Sequence, residues 1–207
     1  MTGDGRRMGI FGGTFDPPHL AHLALAEAAH DALQLGTVVF IPAGDPWLKS
    51  SEREITPGAY RLGMVRAATE GIFWSAGSGM EIDREGPTYS LDTVQAMAAG
   101  GNAADEWWFI LGVDAFRELA SWHEPARLME LVRFAVARRD GDTSPLVTPE
   151  LRATLPGIDD RVDEVPMPRM GVSSTDIRAR ILEGRSTEGL LSDAVRAYID
   201  EHELYRE

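Results

Sequence analysis

Short apolar strand patterns alternate with helical patterns along nearly the whole chain, and this alternation limits the fold more than any other feature of the sequence. Strands that are separated by helices do not form hairpins; they form a parallel sheet whose two faces the helices cover. We therefore predict an α/β fold, with a doubly wound, mostly parallel sheet in a single domain over residues 1–207. In such a sheet, ligands bind beyond the carboxyl ends of the strands.

The boundaries of the elements follow from apolar periodicity, capping residues and turn residues. Strands are predicted at residues 8–11, 38–42, 107–111, 134–137 and 162–165, with a weaker one at 80–83. Helices are predicted at residues 20–35, 57–68, 90–99 with Ser90 as cap, in turns up to 131, from 173 onwards, and at 192–202 with Ser192 as cap. Residues 1–7 are expected to form a loose tail and residues 140–149 a surface loop.

The composition excludes several classes of protein. The chain has no cysteine, which rules out disulfides, thiolate catalysis and zinc–thiolate sites and suits the reducing cytoplasm, where we expect it to act. The formal net charge is −13, and the sequence shows no basic stripe of the kind that binds nucleic acid. No apolar run is long enough to cross a bilayer or to serve as a secretory signal. Because the overall charge repels anions, an anionic ligand would need a few local cations.

The most informative stretch is GIFGGTFDPPHLAH, residues 9–22. Its pattern predicts a strand, a turn at Gly12 and Gly13, and the start of a helix, and it matches neither GxGxxG nor the P-loop. A bare glycine turn lets a ligand approach the backbone, and a helix N-terminus offers unpaired N–H groups that suit phosphate. His19 and His22 are neighbours on one helical face, and the helical spacing directs His22 toward the sheet.

These histidines have a plain structural interpretation, namely a capping turn with one satisfied core histidine. The glycine turn and the helix start beside them favour contact with phosphate instead. A metal-ligand role is less favoured, because no third ligand is in view.

Two separate segments resemble the signatures of the nucleotidylyltransferase superfamily. GGTFDPPHLAH resembles the first signature, which usually ends His-x-Gly-His and here has Ala21 in the place of the glycine. The second signature is Ser-Ser-Thr-x-x-Arg, and the matching residues are Ser173, Ser174, Thr175 and Arg178. The same stretch also fits the S-x-x-D pattern of a helix cap, and both interpretations can hold together. The resemblance implies the Rossmann-like form of the doubly wound sheet.

The middle of the chain narrows the resemblance to the nicotinate-mononucleotide adenylyltransferases. PAGDPWLK resembles their proline-rich loop that ends in lysine, and GPTYSLDT resembles their Gly-x-Thr-Tyr-Thr-x-Asp-Thr segment. LGVDAFRELASW resembles their Gly-x-Asp segment, which has Asp114 and Trp122. Arg139 matches the arginine after the next strand, although Asp140 follows it here where proline is usual. The resemblance extends over residues 9–178, and the closing HELYRE is similar to the family's C-terminal end.

The resemblance implies a role for each matched residue. The catalytic residues would be His19, His22 and Arg178. The ATP-binding residues would be Gly12, Gly13, Thr14, Phe15, His19, His22, Gly112, Asp114, Ser173, Ser174, Thr175 and Arg178. The mononucleotide-binding residues would be Lys49, Thr88, Tyr89, Asp114, Trp122 and Arg139. Five of these side chains are expected to lie together, as cations, at the opening of one ligand site: His19, His22, Lys49, Arg139 and Arg178.

The mononucleotide-binding candidates also have simpler interpretations. Trp122 can be a core residue, or it can stack on a pyridine ring. Asp114 can cap a helix, or it can accept hydrogen bonds from ribose hydroxyls. Thr88 and Tyr89 can form an ordinary loop-to-helix junction, or their N–H groups can receive a carboxylate. Lys49 can be a solvated loop lysine, or it can contact phosphate.

The reaction that the resemblance implies converts ATP and nicotinate mononucleotide to nicotinate adenine dinucleotide and pyrophosphate, by in-line attack on the α-phosphate without a covalent intermediate. Mg²⁺ would arrive with ATP, and the protein would hold no metal site of its own. The partners would be these two nucleotides, with no nucleic acid and no membrane, and the sequence leaves the oligomeric state open, a homo-oligomer included. Three alternatives stay open: nicotinamide mononucleotide as the acceptor, alone or besides the nicotinate form; a non-catalytic nucleotide sensor; and a redox enzyme, which the missing GxGxxG turn disfavours.

Overall fold

All strand pairs of the sheet are parallel, as the alternation of strands and helices predicts. A computed structural model describes residues 5–44, 55–139, 144–168 and 170–206. Its strands are β1 (Arg7–Gly13), β2 (Thr37–Pro42), β3 (Ser75–Gly77), β4 (Glu106–Gly112), β5 (Arg133–Arg139) and β6 (Val162–Met167). Because consecutive strands run in the same direction, the chain returns between them through helices.

The helices follow the strands in the order that the sequence indicates. The longer ones are α1 (Leu20–Leu33), α2 (Gly58–Thr69), α3 (Ser90–Ala99), α7 (Ser174–Leu182) and α8 (Asp193–Glu201). The shorter ones are α4 (Val113–Arg117), α5 (Pro125–Leu131) and α6 (Pro149–Thr154), with 3₁₀ turns at Leu119–Ser121 and Ile158–Arg161. Ser173 and Ser192 cap α7 and α8 by accepting hydrogen bonds from the N–H groups of Asp176 and Val195, which confirms both predicted caps.

The order of the strands across the sheet is β3-β2-β1-β4-β5-β6. The chain therefore moves outward from β1 on one side and outward from β4 on the other, so the order reverses between these two strands. In a doubly wound sheet, this reversal opens a crevice at the carboxyl ends of the two central strands. Gly13 ends β1 and Gly112 ends β4, so the fold places the first signature and the Gly-x-Asp segment at the same crevice.

Apolar side chains alternate between the two faces of the sheet and form two cores. Ile10 and Phe109 belong to the core on one face, and Phe11 and Trp108 belong to the core on the other, which α1 covers. A third apolar cluster joins α2, α7 and α8. The second signature, at the start of α7, is thereby fixed against the body of the domain by the C-terminal helix.

The predicted N-terminal tail and surface loop are both partly wrong. β1 begins at Arg7, and Arg6 pairs with Asp105 across 2.6 Å, so neither residue belongs to a loose tail. Residues 1–4 lie outside the described part of the chain. In the predicted loop at 140–149, Leu146 and Val147 are buried because they complete the core on the Ile10 face.

Two further predictions failed where local patterns were misleading. Residues 80–83 form a turn, and the third strand is Ser75–Gly77. This edge strand consists of small residues that carry no apolar signal, whereas Met80 packs against the core on the Ile10 face from within the turn. Ser90 does not cap α3: it is the first helical residue, and Tyr89 occupies the cap position without a side-chain bond.

Candidate active site

The turn of the first signature lies at the carboxyl end of β1, at the reversal point of the sheet. A Cβ atom on Gly13 would stand 3.0 Å from the Phe15 ring, so a larger residue there would push that ring out of place. Phe15 has a φ of 49° and is 2% exposed, which turns the backbone while the ring packs edge-on against Phe11. Phe15 was predicted to bind ATP, but its side chain belongs to the core. Only its backbone lies in the turn, where a ligand could reach it.

His19 and His22 lie directly against each other at the start of α1. Their ring centroids are 3.7 Å apart and the rings are 16° from parallel. The His22 ring also contacts Phe11 and Phe15, at centroid distances of 5.9 and 5.0 Å, so it points to the sheet side as the helical spacing predicts. The His22 ring thus packs on two phenylalanine rings beside the glycine turn.

The backbone fixes the tautomer of His22. Its Nδ1 accepts a hydrogen bond from the backbone N–H of His19 over 3.1 Å. A nitrogen that accepts carries no proton, so the proton of the neutral ring is on Nε2. The same bond satisfies one of the free N–H groups at the start of α1. His22 is therefore oriented to present an N–H donor from the far side of its ring.

His19 is not the cation that the sequence predicts. It is 8% exposed, and burial lowers its pKa to about 4. The ring is therefore neutral near pH 7. Its Nδ1 is buried and has no hydrogen-bond partner within the described residues. A ligand that approaches this nitrogen would meet a neutral, poorly solvated imidazole.

The two signatures meet, although they lie at opposite ends of the chain. The Ser174 hydroxyl donates to the carbonyl of Pro17 over 2.8 Å, and Arg178 Nη1 donates to the carbonyl of Asp16 over 2.7 Å. A second nitrogen of the guanidinium, Nη2, lies 3.3 Å from the Thr175 hydroxyl. The start of α7 is thus in direct contact with the turn that precedes α1, and a ligand cleft shared by the two helix starts stays a prediction.

The C-terminal segment contributes a contact that sequence reasoning missed. The Tyr205 hydroxyl donates to Asp16 Oδ1 over 2.7 Å, and Asp16 is 1% exposed. Burial, assisted by the neighbouring carboxylate, raises the pKa of Tyr205, so the phenol keeps its proton. The similarity of HELYRE to the family's C-terminal end was the only signal in the sequence, and it did not indicate a contact.

A cavity of about 710 Å³ opens beside Arg178, between α7, the C-terminal segment and the start of α2. Its lining includes Thr56, Tyr60, Thr175, Arg178, Leu182 and Tyr205. The histidine pair does not line it. Arg178 therefore borders this cavity while also contacting the first signature.

The residues predicted to bind a mononucleotide gather at the start of α3 and after α4. The Tyr89 ring stacks on His123, with centroids 4.2 Å apart and planes 26° from parallel. Trp122 is half-buried and meets Phe109 edge-on at 5.7 Å, so it has a packing role and an exposed part. Asp114 is exposed in the first turn of α4, immediately after β4. His123, which the sequence did not single out, is a further aromatic residue beside Tyr89.

Two predicted mononucleotide contacts cannot be placed. Lys49 lies outside the described residues, together with most of the loop at 45–56, so closure of that loop is not described either. Arg139 ends β5, but its side chain is outside the description. The convergence of five cations is thus not established, and of the five, His19 is neutral.

Within the described part of the chain, no cluster of three histidine, aspartate or glutamate side chains is arranged to hold a metal ion. None of the described helices has the length and hydropathy of a bilayer-spanning segment.

Comparison with known proteins agrees with the geometry. The profile of the cytidylyltransferase-like family matches residues 10–180. A protein of Methylibium petroleiphilum named "Probable nicotinate-nucleotide adenylyltransferase" is 42% identical over 205 residues, covering 97% of this chain and 92% of that protein. A protein of Thermomicrobium roseum with the same name is 42% identical over 200 residues, again covering 97% and 92%.

Solved structures share the fold at low sequence identity. The nicotinic acid mononucleotide adenylyltransferase of Plasmodium falciparum, solved in complex with NaAD, superposes with a TM-score of 0.75 at 16% identity over 97% of each chain. A putative nicotinate-nucleotide adenylyltransferase from Vibrio parahaemolyticus gives a TM-score of 0.61 at 20% identity, over 98% of this chain and 96% of that one. The predicted α/β fold is confirmed by these likenesses.

Proposed function

This chain belongs to the cytidylyltransferase-like family and, within it, to the nicotinate-nucleotide adenylyltransferases, and from that premise we propose how its own residues carry out the reaction. An oxygen of the 5′-phosphate of nicotinate mononucleotide forms a bond to the α-phosphorus of ATP, and the bond from that phosphorus to the pyrophosphate oxygen breaks. The attacking phosphate is already an anion, so no general base is needed. Catalysis then consists of positioning the reactants and stabilising charge, and well-oriented reactants alone can lower a barrier by about 7–11 kcal/mol.

The contact between the two signatures carries this proposal. The bonds from Ser174 to Pro17 and from Arg178 to Asp16 hold the start of α7 against the turn that precedes α1. Two helix N-termini and one guanidinium thereby lie close together, an arrangement that suits a polyphosphate. We propose that ATP binds across this junction, contacting the backbone of Gly12 to Phe15 and the hydroxyls of Ser173 to Thr175.

His22 acts as a hydrogen-bond donor to the phosphates. Its Nδ1 is engaged by the His19 backbone, which commits Nε2–H to the ligand side. A donor fixed before the substrate arrives needs no reorganisation during the reaction, which is why such groups stabilise developing charge efficiently. Arg178 supplies the permanent positive charge, and its guanidinium is already oriented by Asp16 and Thr175.

His19 contributes a second imidazole that is neutral before ATP binds. Its low pKa means that it approaches the phosphates as an uncharged donor or becomes protonated only when their charge is present. Its stacking against His22 also restricts the motion of both rings. We therefore assign to His19 a role in binding ATP and in holding His22, besides direct contact with phosphate.

The wall formed by Tyr89, His123 and Trp122 is the proposed site for the pyridine ring of the mononucleotide. The exposed part of Trp122 offers a face for stacking, and its edge-on contact with Phe109 keeps the indole in place. The segment of Thr88 and Tyr89 leads into α3, where N–H groups suit a carboxylate.

Asp114 would accept hydrogen bonds from ribose hydroxyls, and Gly112 would let the nucleotide approach the end of β4. Lys49 and Arg139 remain proposed phosphate contacts.

Mg²⁺ is proposed to enter as part of the substrate, bound to the phosphates of ATP. The described residues offer no carboxylate cluster for it, and Mg²⁺ in nucleotide sites usually keeps several waters and phosphate ligands. We further propose that the enzyme works in the cytoplasm, in keeping with its lack of cysteine.

The test is release of pyrophosphate from MgATP with nicotinate mononucleotide, run in parallel with nicotinamide mononucleotide. We expect turnover with both nucleotides present and a higher kcat/KM for the nicotinate form, because backbone N–H groups at Thr88 and Tyr89 favour a carboxylate. Equal values would indicate a dual-specificity enzyme, and a preference for the nicotinamide form would reverse the assignment of the acceptor. Nucleotide binding without pyrophosphate release would indicate a sensor.

A further inference from the structure

We propose that two buried charged residues, Arg61 and Glu81, are positioning residues that hold Gly44 from both sides and so fix the distance between the ATP turn and the mononucleotide wall. Arg61, Gly44 and Glu81 are called the Gly44 clamp below. The functional part of this inference rests on the proposed function of the site. Neither charged residue belongs to a signature, and neither is among the residues predicted to bind substrate.

Arg61 binds three backbone carbonyls from three different segments. It lies in α2 and is 2% exposed. Its Nη1 donates to the carbonyl of Thr14 over 2.9 Å, its Nη2 to that of Gly44 over 3.2 Å, and its Nε to that of Thr56 over 2.8 Å. A planar guanidinium can serve three acceptors in fixed directions, which a lysine ammonium cannot reproduce. Arg61 therefore ties Gly44 to the glycine turn that precedes α1.

Glu81 holds Gly44 from the opposite side. It is 8% exposed, and its carboxylate accepts a hydrogen bond from the Thr93 hydroxyl over 2.6 Å. The Gly44 N–H and the Thr88 hydroxyl lie near enough to the same carboxylate to lower its pKa by hydrogen bonding. Burial raises the pKa of Glu81, while these bonds and the charge of Arg84 oppose that rise. Glu81 therefore ties Gly44 to Thr88, one of the residues that lead into the mononucleotide wall.

Gly44 fits only as glycine. A Cβ atom there would lie 2.0 Å from the backbone oxygen of Glu81 and 2.9 Å from Thr88 Cγ2. The backbone of Gly44 is thus in direct contact with the segment that carries Glu81, and a side chain would force the two apart. This close approach brings its N–H to the carboxylate while its carbonyl faces Arg61.

The Gly44 clamp connects the two halves of the site through one residue. On the ATP side, the carbonyls of Gly44 and Thr14 both accept hydrogen bonds from Arg61. On the mononucleotide side, the Gly44 N–H and the Thr88 hydroxyl both lie at the Glu81 carboxylate. In-line transfer between two bound nucleotides depends on their separation, and an error of 1 Å can cost about a hundredfold in rate. Burying a charge is costly unless it is hydrogen-bonded, and Arg61 makes three bonds to backbone carbonyls while Glu81 accepts the Thr93 hydroxyl.

The experiment measures kcat and both KM values for Arg61→Lys and Glu81→Gln, below their unfolding temperatures. Arg61→Lys keeps the charge but loses the fork, and kcat should fall by about ten- to a hundredfold. In Glu81→Gln one acceptor oxygen becomes an NH₂ group, which cannot accept from the donors around it. KM for the mononucleotide should therefore rise about tenfold while KM for ATP stays within about twofold.

The matched controls are Arg133→Lys and Asp163→Asn. Arg133 donates to Asp163 and to the carbonyl of Asp160, so it too binds a carboxylate and a backbone oxygen, but at the amino ends of β5 and β6, away from the crevice. These controls should lower Tm and leave kcat and both KM values unchanged. If the two clamp variants behave like the controls, Arg61 and Glu81 are merely structural and the proposal is wrong. An equal rise of both KM values in Glu81→Gln would contradict it as well.

A second measurement does not depend on activity. The Gly44 amide should exchange its hydrogen slowly in the wild-type protein and at least about tenfold faster in Glu81→Gln. If Glu81→Gln does not fold, Thr93→Val removes one of the bonds to the carboxylate with little change in shape, and the same increase in exchange is expected. If the wild-type protein releases no pyrophosphate, the proposed function fails, and a rapidly exchanging Gly44 amide is the result that would overturn the clamp itself.

Discussion

Arg178 donates a hydrogen bond to the backbone carbonyl of Asp16 over 2.7 Å, although 162 positions separate the two residues. This bond joins the last residue of the second signature to the turn of the first. It places a permanent positive charge next to two helix N-termini in a chain whose net charge is −13. The contact between the two signatures and the groups around it determine how substitutions here should change turnover and stability.

His22 has two functions that one substitution can separate. In His22→Asn, the side-chain oxygen can replace Nδ1 as acceptor for the His19 N–H, but nothing replaces Nε2–H. We expect Tm to stay close to the wild-type value and kcat to fall about 100- to 1,000-fold, as when a donor to a developing charge is removed. Pyrophosphate release and thermal unfolding measure the two effects. Wild-type turnover in His22→Asn would refute the donor role.

His19 should make stability depend on pH. Its pKa is about 4 in the folded protein against 6.5 for the free side chain, so the unfolded chain binds a proton first as pH falls. The free energy of unfolding has its full value above about pH 6.5. It falls by on the order of 3 kcal/mol in all as pH drops from about 6.5 to 4. Urea unfolding of the wild type and His19→Gln at several pH values isolates this group. Parallel stability curves for the two proteins would show that the pKa of His19 is not lowered.

Trp122→Ala should weaken the mononucleotide far more than ATP. Loss of a stacking face is worth about 1 kcal/mol or more, which corresponds to a KM increase of about five- to tenfold. Trp122→Phe, which keeps a ring against Phe109, is the matched control and should retain most of the affinity. Steady-state KM values for both substrates decide the matter, and equal losses for both would remove the stacking assignment.

Tyr205→Phe tests whether the C-terminal segment supports the first signature. The substitution removes the hydroxyl that donates to the buried Asp16, at an expected cost of about 1–3 kcal/mol in the free energy of unfolding. Tyr60→Phe is the control, because Tyr60 is 39% exposed and should change stability little. Urea unfolding compares them. A Tyr205→Phe protein as stable as Tyr60→Phe would show that the bond adds nothing.

The sequence predicts the sheet and the place of the site because both depend on local patterns. The caps at Ser173 and Ser192 follow from capping residues at the helix starts, and the direction of His22 follows from helical spacing. What the sequence does not reveal depends on burial: the low pKa of His19, and the roles of Arg61, Glu81 and Tyr205, arise from segments far apart in the chain. The edge strand Ser75–Gly77 was missed because its small side chains carry no apolar periodicity.

The most direct test of the account is a structure of the protein with a non-hydrolysable ATP analogue bound. We expect its phosphate oxygens to lie about 3 Å from both His22 Nε2 and the Arg178 guanidinium in the same molecule. A triphosphate that contacts only one of the two signatures, or that lies away from both, would contradict the claim that their junction is where the adenylyl group is transferred.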